Sequence, residues 1–282
     1  MENKRVIIFG GAGSVGEELV RQLVEKNEVF IFDIDETRFF DLYEELRLKD
    51  KKIYGRVADV RNYQTVVETL DEFNPDIVFI ASAYKHVVPN EWFPEEAISV
   101  NVIGTLNITK AAKRRKIERL VYISTDKVLG ESVMGITKKL GEKIVRNAGY
   151  TVVRFGNVLG SRGSVIPIWQ RQIDRGEPLT ITSEKMERYF MTIEEACYLV
   201  IKTASIGEPG DVIILDMGKP VKIIDVAKEV LLKLGKIDYN INIIGTRYGE
   251  AFTEKLMSDE EEKRAIRNDK FFIIKSEEPH QI

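Results

Sequence analysis

Short apolar runs alternate with amphipathic stretches through residues 1–155. The runs at 6–9, 29–32, 53–57, 77–80, 120–123 and 151–155 read as strands. Most are apolar without interruption, which predicts burial on both faces, the habit of a parallel sheet. Between them, apolar residues recur at three- and four-residue spacing, as at 17–26 and 63–73, and predict helices. Strands alternating with helices give an α/β fold built on a doubly wound parallel sheet. The right-handed crossover then leaves few topologies.

Beyond Phe155 the pattern changes. A glycine-rich loop, 156–164, is followed by helical stretches at 165–175, 192–204 and 223–234 and by short strands at 212–215 and 241–244. This predicts a smaller C-terminal lobe against the carboxyl edge of the sheet. The division is 1–155 for the sheet domain and 156–282 mainly for the lobe, with segments free to interleave. Ser258-Asp259-Glu260-Glu261 reads as a capping box opening a last short helix, and the chain from Lys275 onward as a frayed tail.

Composition narrows the class. With 44 % hydrophobic residues in 282, the chain can bury a sizeable core, and a net charge of −3 favours neither nucleic acid nor an anionic membrane surface. The dense basic run Lys113-Arg114-Arg115-Lys116 falls where a helix should end, and cations there offset the negative helix terminus. The single cysteine, Cys197, lies in an apolar helical patch and reads as a buried thiol. No residue cluster has metal-ligand spacing, and no apolar run reaches the ~20 residues of a bilayer span. A cytoplasmic protein without membrane partners is the expectation.

Gly10, Gly13 and Gly16 follow the first strand and open the first helix in a G-x-x-G-x-x-G pattern. Glycine there permits a tight turn and close approach of backbone to a pyrophosphate, while the amides at Ser14 and Val15 lie at a positive helix terminus. In its strand–turn–helix context the motif predicts a Rossmann-like dinucleotide site. Asp33, seventeen residues after Gly16, ends the second strand, where a carboxylate accepts from ribose hydroxyls and repels a 2′-phosphate. NAD is therefore expected over NADP, with Arg38 assigned to the surface of the following helix. Asp59, before Val60, either bonds the adenine amino group or caps the next helix. Ala81 and Ala83 are small enough to let the nicotinamide half pass.

Several segments point to a family. They include Gly10–Gly16, Tyr84-Lys85-His86-Val87, Ser124-Thr125-Asp126-Lys127, Met134-Gly135-Ile136-Thr137-Lys138, Ser161-Arg162-Gly163-Ser164-Val165 and Arg247-Tyr248-Gly249-Glu250. In these segments the chain resembles the extended short-chain dehydrogenases, and among them the sugar-nucleotide 4,6-dehydratases of surface-polysaccharide pathways. The resemblance implies removal of water from UDP-N-acetylglucosamine to give a 4-keto-6-deoxy sugar, with or without inversion at carbon 5, using bound NAD. It implies that Lys127 takes the carbon 5 proton, that Asp126 protonates the leaving hydroxyl, that Thr125 bonds the 4-hydroxyl, and that Lys138 holds the nicotinamide ribose. These roles require a raised pKa at Asp126 and a lowered one at Lys127, which burial would promote.

Short-chain dehydrogenases usually place Tyr where Met134 stands. A thioether exchanges no proton, so Met134 either packs the site shut, as in some relatives, or marks a lost oxidoreductase. The loop before Met134 is one residue shorter than the family pattern, and Ala251 replaces its usual Lys. The resemblance also places UDP in the second lobe. There Asn157 bonds a phosphate or uridine group, Arg188 and Arg247 clamp the diphosphate, and Glu250 accepts ribose hydroxyls. Lys85 and His86 border the sugar, although a lone His reads first as a hydrogen-bonded structural residue. Arg162 is either a ligand or a structural turn. Relatives self-associate, so a homo-oligomer is implied. Two other functions stand beside dehydration: a UDP-sugar 4-epimerase, and an inactive NAD-binding regulator.

Overall fold

A computed structural model describes residues 1–247 and 249–276. Six strands run through its first half: β1 (Arg5–Phe9), β2 (Glu28–Asp33), β3 (Ile53–Val57), β4 (Ile77–Ile80), β5 (Arg119–Ile123) and β6 (Thr151–Arg154). The second half adds β7 (Asn157–Leu159), β8 (Leu179–Ile181), β9 (Glu187–Arg188), β10 (Phe190–Thr192), β11 (Val212–Leu215), β12 (Val221–Lys222), β13 (Ile241–Ile243), β14 (Ile266–Asn268) and β15 (Phe271–Ile274). Nine of these form one sheet in the order β14-β15-β11-β6-β5-β4-β1-β2-β3. From β3 to β11 all pairings are parallel, and β15 and β14 join antiparallel. The order reverses at β1, which pairs with both β2 and β4, and this switch point opens a crevice at the carboxyl ends.

The hydrophobic pattern explains the layering. Every residue of β4, β6 and β11 is buried, as expected for strands covered on both faces. By contrast β3 is mostly exposed, which suits the edge it forms. Cys197 is buried on helix Ile193–Ile206, packed on helix Ser14–Leu23, and burial pushes its thiol well above the ordinary range. The basic run does close a helix, which ends at Arg114, and Arg114 and Arg115 pair with Asp71.

The structure corrects several expectations. The main sheet extends beyond residue 155, an interleaving the division left open: β11, β14 and β15 belong to it, and the apolar residues of β11 and β15 join its core while β14 stays exposed. The lobe is built from two segments, one on each side of β11, with its own small core around Trp169, Leu179, Ile181, Ile223 and Leu231. The first helix begins at Ser14, three residues before the expected 17, because Gly13 already serves as its N-cap. Asp59 does not cap the next helix. Asn62 does, accepting from the Thr65 amide at 3.2 Å, while Asp59 is held by Arg61. Lys275 is not frayed, since it pairs with Glu208 and Asp211 at 2.9 and 3.0 Å. The rest of that expected tail, from 277, lies outside the described residues, as does Tyr248. The capping box at Ser258 and Glu261 forms as read.

Candidate active site

At the carboxyl ends of β1, β4, β5 and β6 the sheet and the lobe enclose a cleft of about 1000 Å³. One end is the glycine loop. Gly10 has φ +81°, and a Cβ on it would lie 2.5 Å from the Ser82 amide nitrogen. At Gly16 a Cβ would lie 2.0 Å from the Gly10 carbonyl oxygen, so only glycine lets the helix start this close to the turn. Gly13 makes no side-chain cap, which leaves the first amides of helix Ser14–Leu23 open toward the cleft. Gly13, Ser14, Val15 and Gly16 all line it, as do Ala81 and Ala83, with Ala81 close against the Gly10 turn.

Asp33 stands at the tip of β2. Its Oδ2 accepts from the Ala12 amide at 2.8 Å and its Oδ1 from the Asp35 amide at 3.0 Å, so the carboxylate also braces the glycine loop. Asp59 accepts from Arg61 through both oxygens, and the Val60 side chain is buried against Gly104. Neither lines the cleft directly. Arg38 pairs with Asp35 on its helix, as read, but its side chain also reaches the cleft.

Arg162 crosses from the lobe onto the glycine loop. Its amide donates to Ser14 Oγ at 3.0 Å, and its guanidinium donates to the Ala12 carbonyl and lies 3.3 Å from Glu17. Lys85 Nζ donates to the Arg162 carbonyl at 2.7 Å. The ring of His86 packs on Gly163, and among the described residues its nitrogens make no hydrogen bond. This corrects its reading as a satisfied structural histidine.

The chemistry-bearing groups converge at the tip of β5. Thr125 caps a tight 3₁₀ turn, Asp126–Leu129, and its hydroxyl donates to Asp126 Oδ1 at 2.9 Å. The Asp126 side chain is completely buried, and that of Lys127 is 22 % exposed, so the pair is enclosed and not a surface ion pair. Lys127 Nζ has three acceptors: Glu254 Oε2 at 2.7 Å, Asp126 Oδ1 at 3.0 Å and Asn157 Oδ1 at 3.2 Å. Thr125, Lys127 and Asn157 line the cleft, with Asp126 just beneath.

The ionisation pattern is opposite to the expected one. Burial favours a neutral Asp126, but Lys127 and the hydrogen bonds around it outweigh burial and hold its pKa below the usual carboxylate range. Burial likewise favours a neutral Lys127, yet Asp126 and Glu254 hold it above the ordinary amine value. At rest the pair is therefore carboxylate and ammonium. The raised carboxyl is Glu254, pushed up to about 7 by burial and the nearby Asp126, against the pull of Lys127 and Arg188.

Lys138 is buried one turn along helix Val133–Asn147 from Met134. Its Nζ donates to the Ile123 carbonyl at 2.6 Å and lies 4.0 Å from the Tyr122 ring centroid. Burial lowers its pKa to about 7, with Glu142 opposing. Met134 is buried and forms cleft wall. Nearby, Ser124 Oγ is buried and has no partner among the described residues. A buried hydroxyl so placed calls for a polar ligand atom.

Arg188 corrects the expectation of a free diphosphate clamp. It lines the cleft, but its guanidinium donates to the Glu187, Ala251 and Phe252 carbonyls and lies 3.4 Å from Glu254, so it also ties segment 251–254 under the site. Arg247 and Glu250 do line the cleft, and Glu250 Oε2 accepts from the Arg247 amide at 3.1 Å. Glu254 was invisible to sequence reading, because its partner Lys127 is 127 positions away and nothing in Thr253-Glu254-Lys255 marks it.

Comparison with known proteins agrees with this architecture. The chain is 39 % identical over 280 residues to the capsular polysaccharide biosynthesis protein CapD of Staphylococcus aureus, covering 93 % of this chain and 46 % of CapD. It thus spans about half the length of that relative. A UDP-glucose 4-epimerase of Rickettsia rickettsii is 36 % identical over 279 residues, covering 93 % of this chain and 80 % of the epimerase. The X-ray structure of Pen from Bacillus thuringiensis superimposes with a TM-score of 0.92 at 34 % identity, covering 98 % of this chain and 89 % of that one. Solved structures that share the fold at 18–22 % identity include NAD complexes. The profile of one family, described as polysaccharide biosynthesis protein, matches residues 6–276, and the chain belongs to that family.

Proposed function

We propose that the protein is an NAD-dependent sugar-nucleotide 4,6-dehydratase acting on a UDP-sugar such as UDP-N-acetylglucosamine. The observation that carries this reading is the enclosed chain Thr125–Asp126–Lys127 on the cleft floor, a proton acceptor and a proton donor side by side. The glycine cradle, the open helix terminus and the unpartnered Ser124 hydroxyl fit a dinucleotide, with Asp33 at its ribose end and Lys138 at the other. NAD, when bound, supplies the acceptor and later the donor of a hydride.

The residues then divide the proton work. Thr125 bonds the sugar 4-hydroxyl and passes its proton to Asp126, which is ionised at rest and 2.9 Å away. Asp126, now protonated, donates to the 6-hydroxyl as it leaves as water. Lys127, as an amine, removes the proton at carbon 5. This sequence removes the need for a raised resting pKa at Asp126, since the carboxyl is charged with its proton during turnover. Met134 keeps water from that wall of the cleft. Arg247 and Glu250, which line the cleft, would hold the nucleotide.

Incubation with UDP-N-acetylglucosamine followed by proton NMR should show a new 6-methyl doublet; a wild-type sample without it rules dehydration out. An epimerase is the second reading, favoured by the Rickettsia relative, and it would instead change the configuration at carbon 4. Independently, Gly16→Ala should weaken NAD binding at least about tenfold by calorimetry, because the new methyl displaces the loop backbone. Unchanged affinity would place the dinucleotide elsewhere.

A further inference from the structure

In the proposed reaction Lys127 must be an amine, yet the resting site holds it as an ammonium with all three donors engaged. Its proton needs a destination within reach. Asn157 offers an amide oxygen, which does not titrate. Asp126 Oδ1 already accepts from Thr125, and its free capacity is needed for the proton of the 4-hydroxyl. Glu254 Oε2 is the nearest of the three acceptors, at 2.7 Å, and its side chain is 9 % exposed.

We propose that Glu254 is the proton store for Lys127, taking the ammonium proton before carbon 5 is deprotonated and returning it after turnover. The step is a transfer along one hydrogen bond. The N–H bond of Lys127 breaks, an O–H bond forms on Glu254, and an ammonium–carboxylate pair becomes an amine and a carboxylic acid. Lys127 then accepts the proton from carbon 5, and the electron pair left behind expels the 6-hydroxyl as water with the proton held on Asp126. When hydride returns to carbon 6, Lys127 gives a proton back to carbon 5 and, again an amine, recovers its own proton from Glu254. The inference rests on the dehydratase reading and names a residue that acts through Lys127.

The surroundings favour that direction. The charged groups facing Glu254 are Lys127 and Asp126 from the turn and Arg188 from β9. Burial and the neighbouring Asp126 make Glu254 the more basic of the two carboxyls, so it is the better proton acceptor. A sugar seated on Lys127 removes the water that its 22 % exposed side chain still meets. Drying a buried pair shifts it toward the uncharged form. Arg188, with its donors on three carbonyls, holds Glu254 in place for this exchange.

Glu254→Gln keeps the size and an acceptor oxygen but takes no proton. At neutral pH its kcat should fall about a hundredfold with KM little changed, and it should climb about tenfold per pH unit on the alkaline side, where hydroxide deprotonates Lys127. Glu254→Asp should recover part of the neutral-pH rate. Parallel pH profiles for wild type and Glu254→Gln, with 6-methyl product from both, overturn the inference and leave the dehydratase reading standing. A second readout needs no turnover. In protein labelled with [¹³C]lysine, the Lys127 signal of Glu254→Gln should titrate at lower pH than in wild type, because a carboxylate holding the ammonium is gone. An unmoved titration overturns the coupling whatever reaction the protein performs.

Discussion

Lys127→Met is expected to lower the rate of sugar dehydration by roughly 10³-fold while leaving NAD affinity within about twofold of wild type. Among the described residues Lys127 is the only ammonium beside Asp126, and Met fills similar space with no base. The glycine cradle that would hold the dinucleotide lies at the other end of the cleft and is untouched. The same change has a stability cost with a distinctive pH dependence. It leaves the Asp126 and Glu254 side chains, 0 % and 9 % exposed, without their shared cation. Breaking a buried pair costs about 3–5 kcal/mol, and Arg188 at 3.4 Å from Glu254 argues for the low end of that range. In wild type, Asp126 is held below its ordinary pKa, so its contribution is present above that value and lost as pH falls through the folded one. In the variant both carboxyls are raised, so their folded-state stability is present below the ordinary pKa and lost as pH rises through the folded one. Of the two effects, only the variant's raised carboxyls titrate between pH 7 and 5, because wild-type Asp126 loses its contribution below its ordinary value: the deficit in urea midpoint should be largest at neutral pH and shrink toward pH 5. Wild-type turnover, or a deficit independent of pH, would contradict the assignment.

What the sequence disclosed depended on how local each cause was. The strands β1, β2, β4, β5, β6 and β11 announce themselves as unbroken apolar runs, and the glycine loop by its spacing, because both constraints act within a few residues. Phe271–Ile274 is an equally apolar run, yet β15 was missed; its place in the sheet comes from pairing with β11, more than fifty positions away. The choice between the two readings of Asp59 has a similar origin. Asp59 and Asn62 are both good caps, and Arg61 binding to Asp59 settles which one caps. The site residues Thr125, Asp126, Lys127, Met134 and Lys138 were legible as a motif, but their ionisation was not. Burial alone argued for a neutral pair, whereas Glu254, Asn157 and Arg188 arrive from distant segments and stabilise the charged one. Arg188 shows the reverse limit: it lines the cleft as its family position implies, but the carbonyls that engage its donors come from segments the motif does not include.

Arg154→Met should be the most destabilising single change outside the catalytic cluster, lowering stability by about 3–5 kcal/mol without altering any group that meets the cleft. Arg154 closes β6 with a side chain only 3 % exposed. It donates to Glu142 at 3.1 and 2.8 Å, to Glu261 at 3.0 and 3.2 Å and to the Leu256 carbonyl at 3.3 Å. The two carboxylates lie on the helix that carries Met134 and Lys138 and on the capping-box helix Asp259–Arg264, so one guanidinium joins three elements. Its two carboxylate partners fare differently when it is lost. Glu261 still accepts from the Ser258 amide at 2.8 Å and is 15 % exposed, whereas Glu142, 5 % exposed, has no other hydrogen-bond donor among the described residues. The penalty should therefore reside mainly at Glu142, and Glu142→Leu combined with Arg154→Met should recover more than half of it, since replacing a buried pair by apolar groups is often nearly neutral. Urea denaturation of the two single variants and the double variant checks this. An Arg154→Met midpoint equal to wild type would show that the three elements are held together by apolar packing alone, and a double variant no better than Arg154→Met would move the penalty from Glu142 to the lost tie with the capping-box helix.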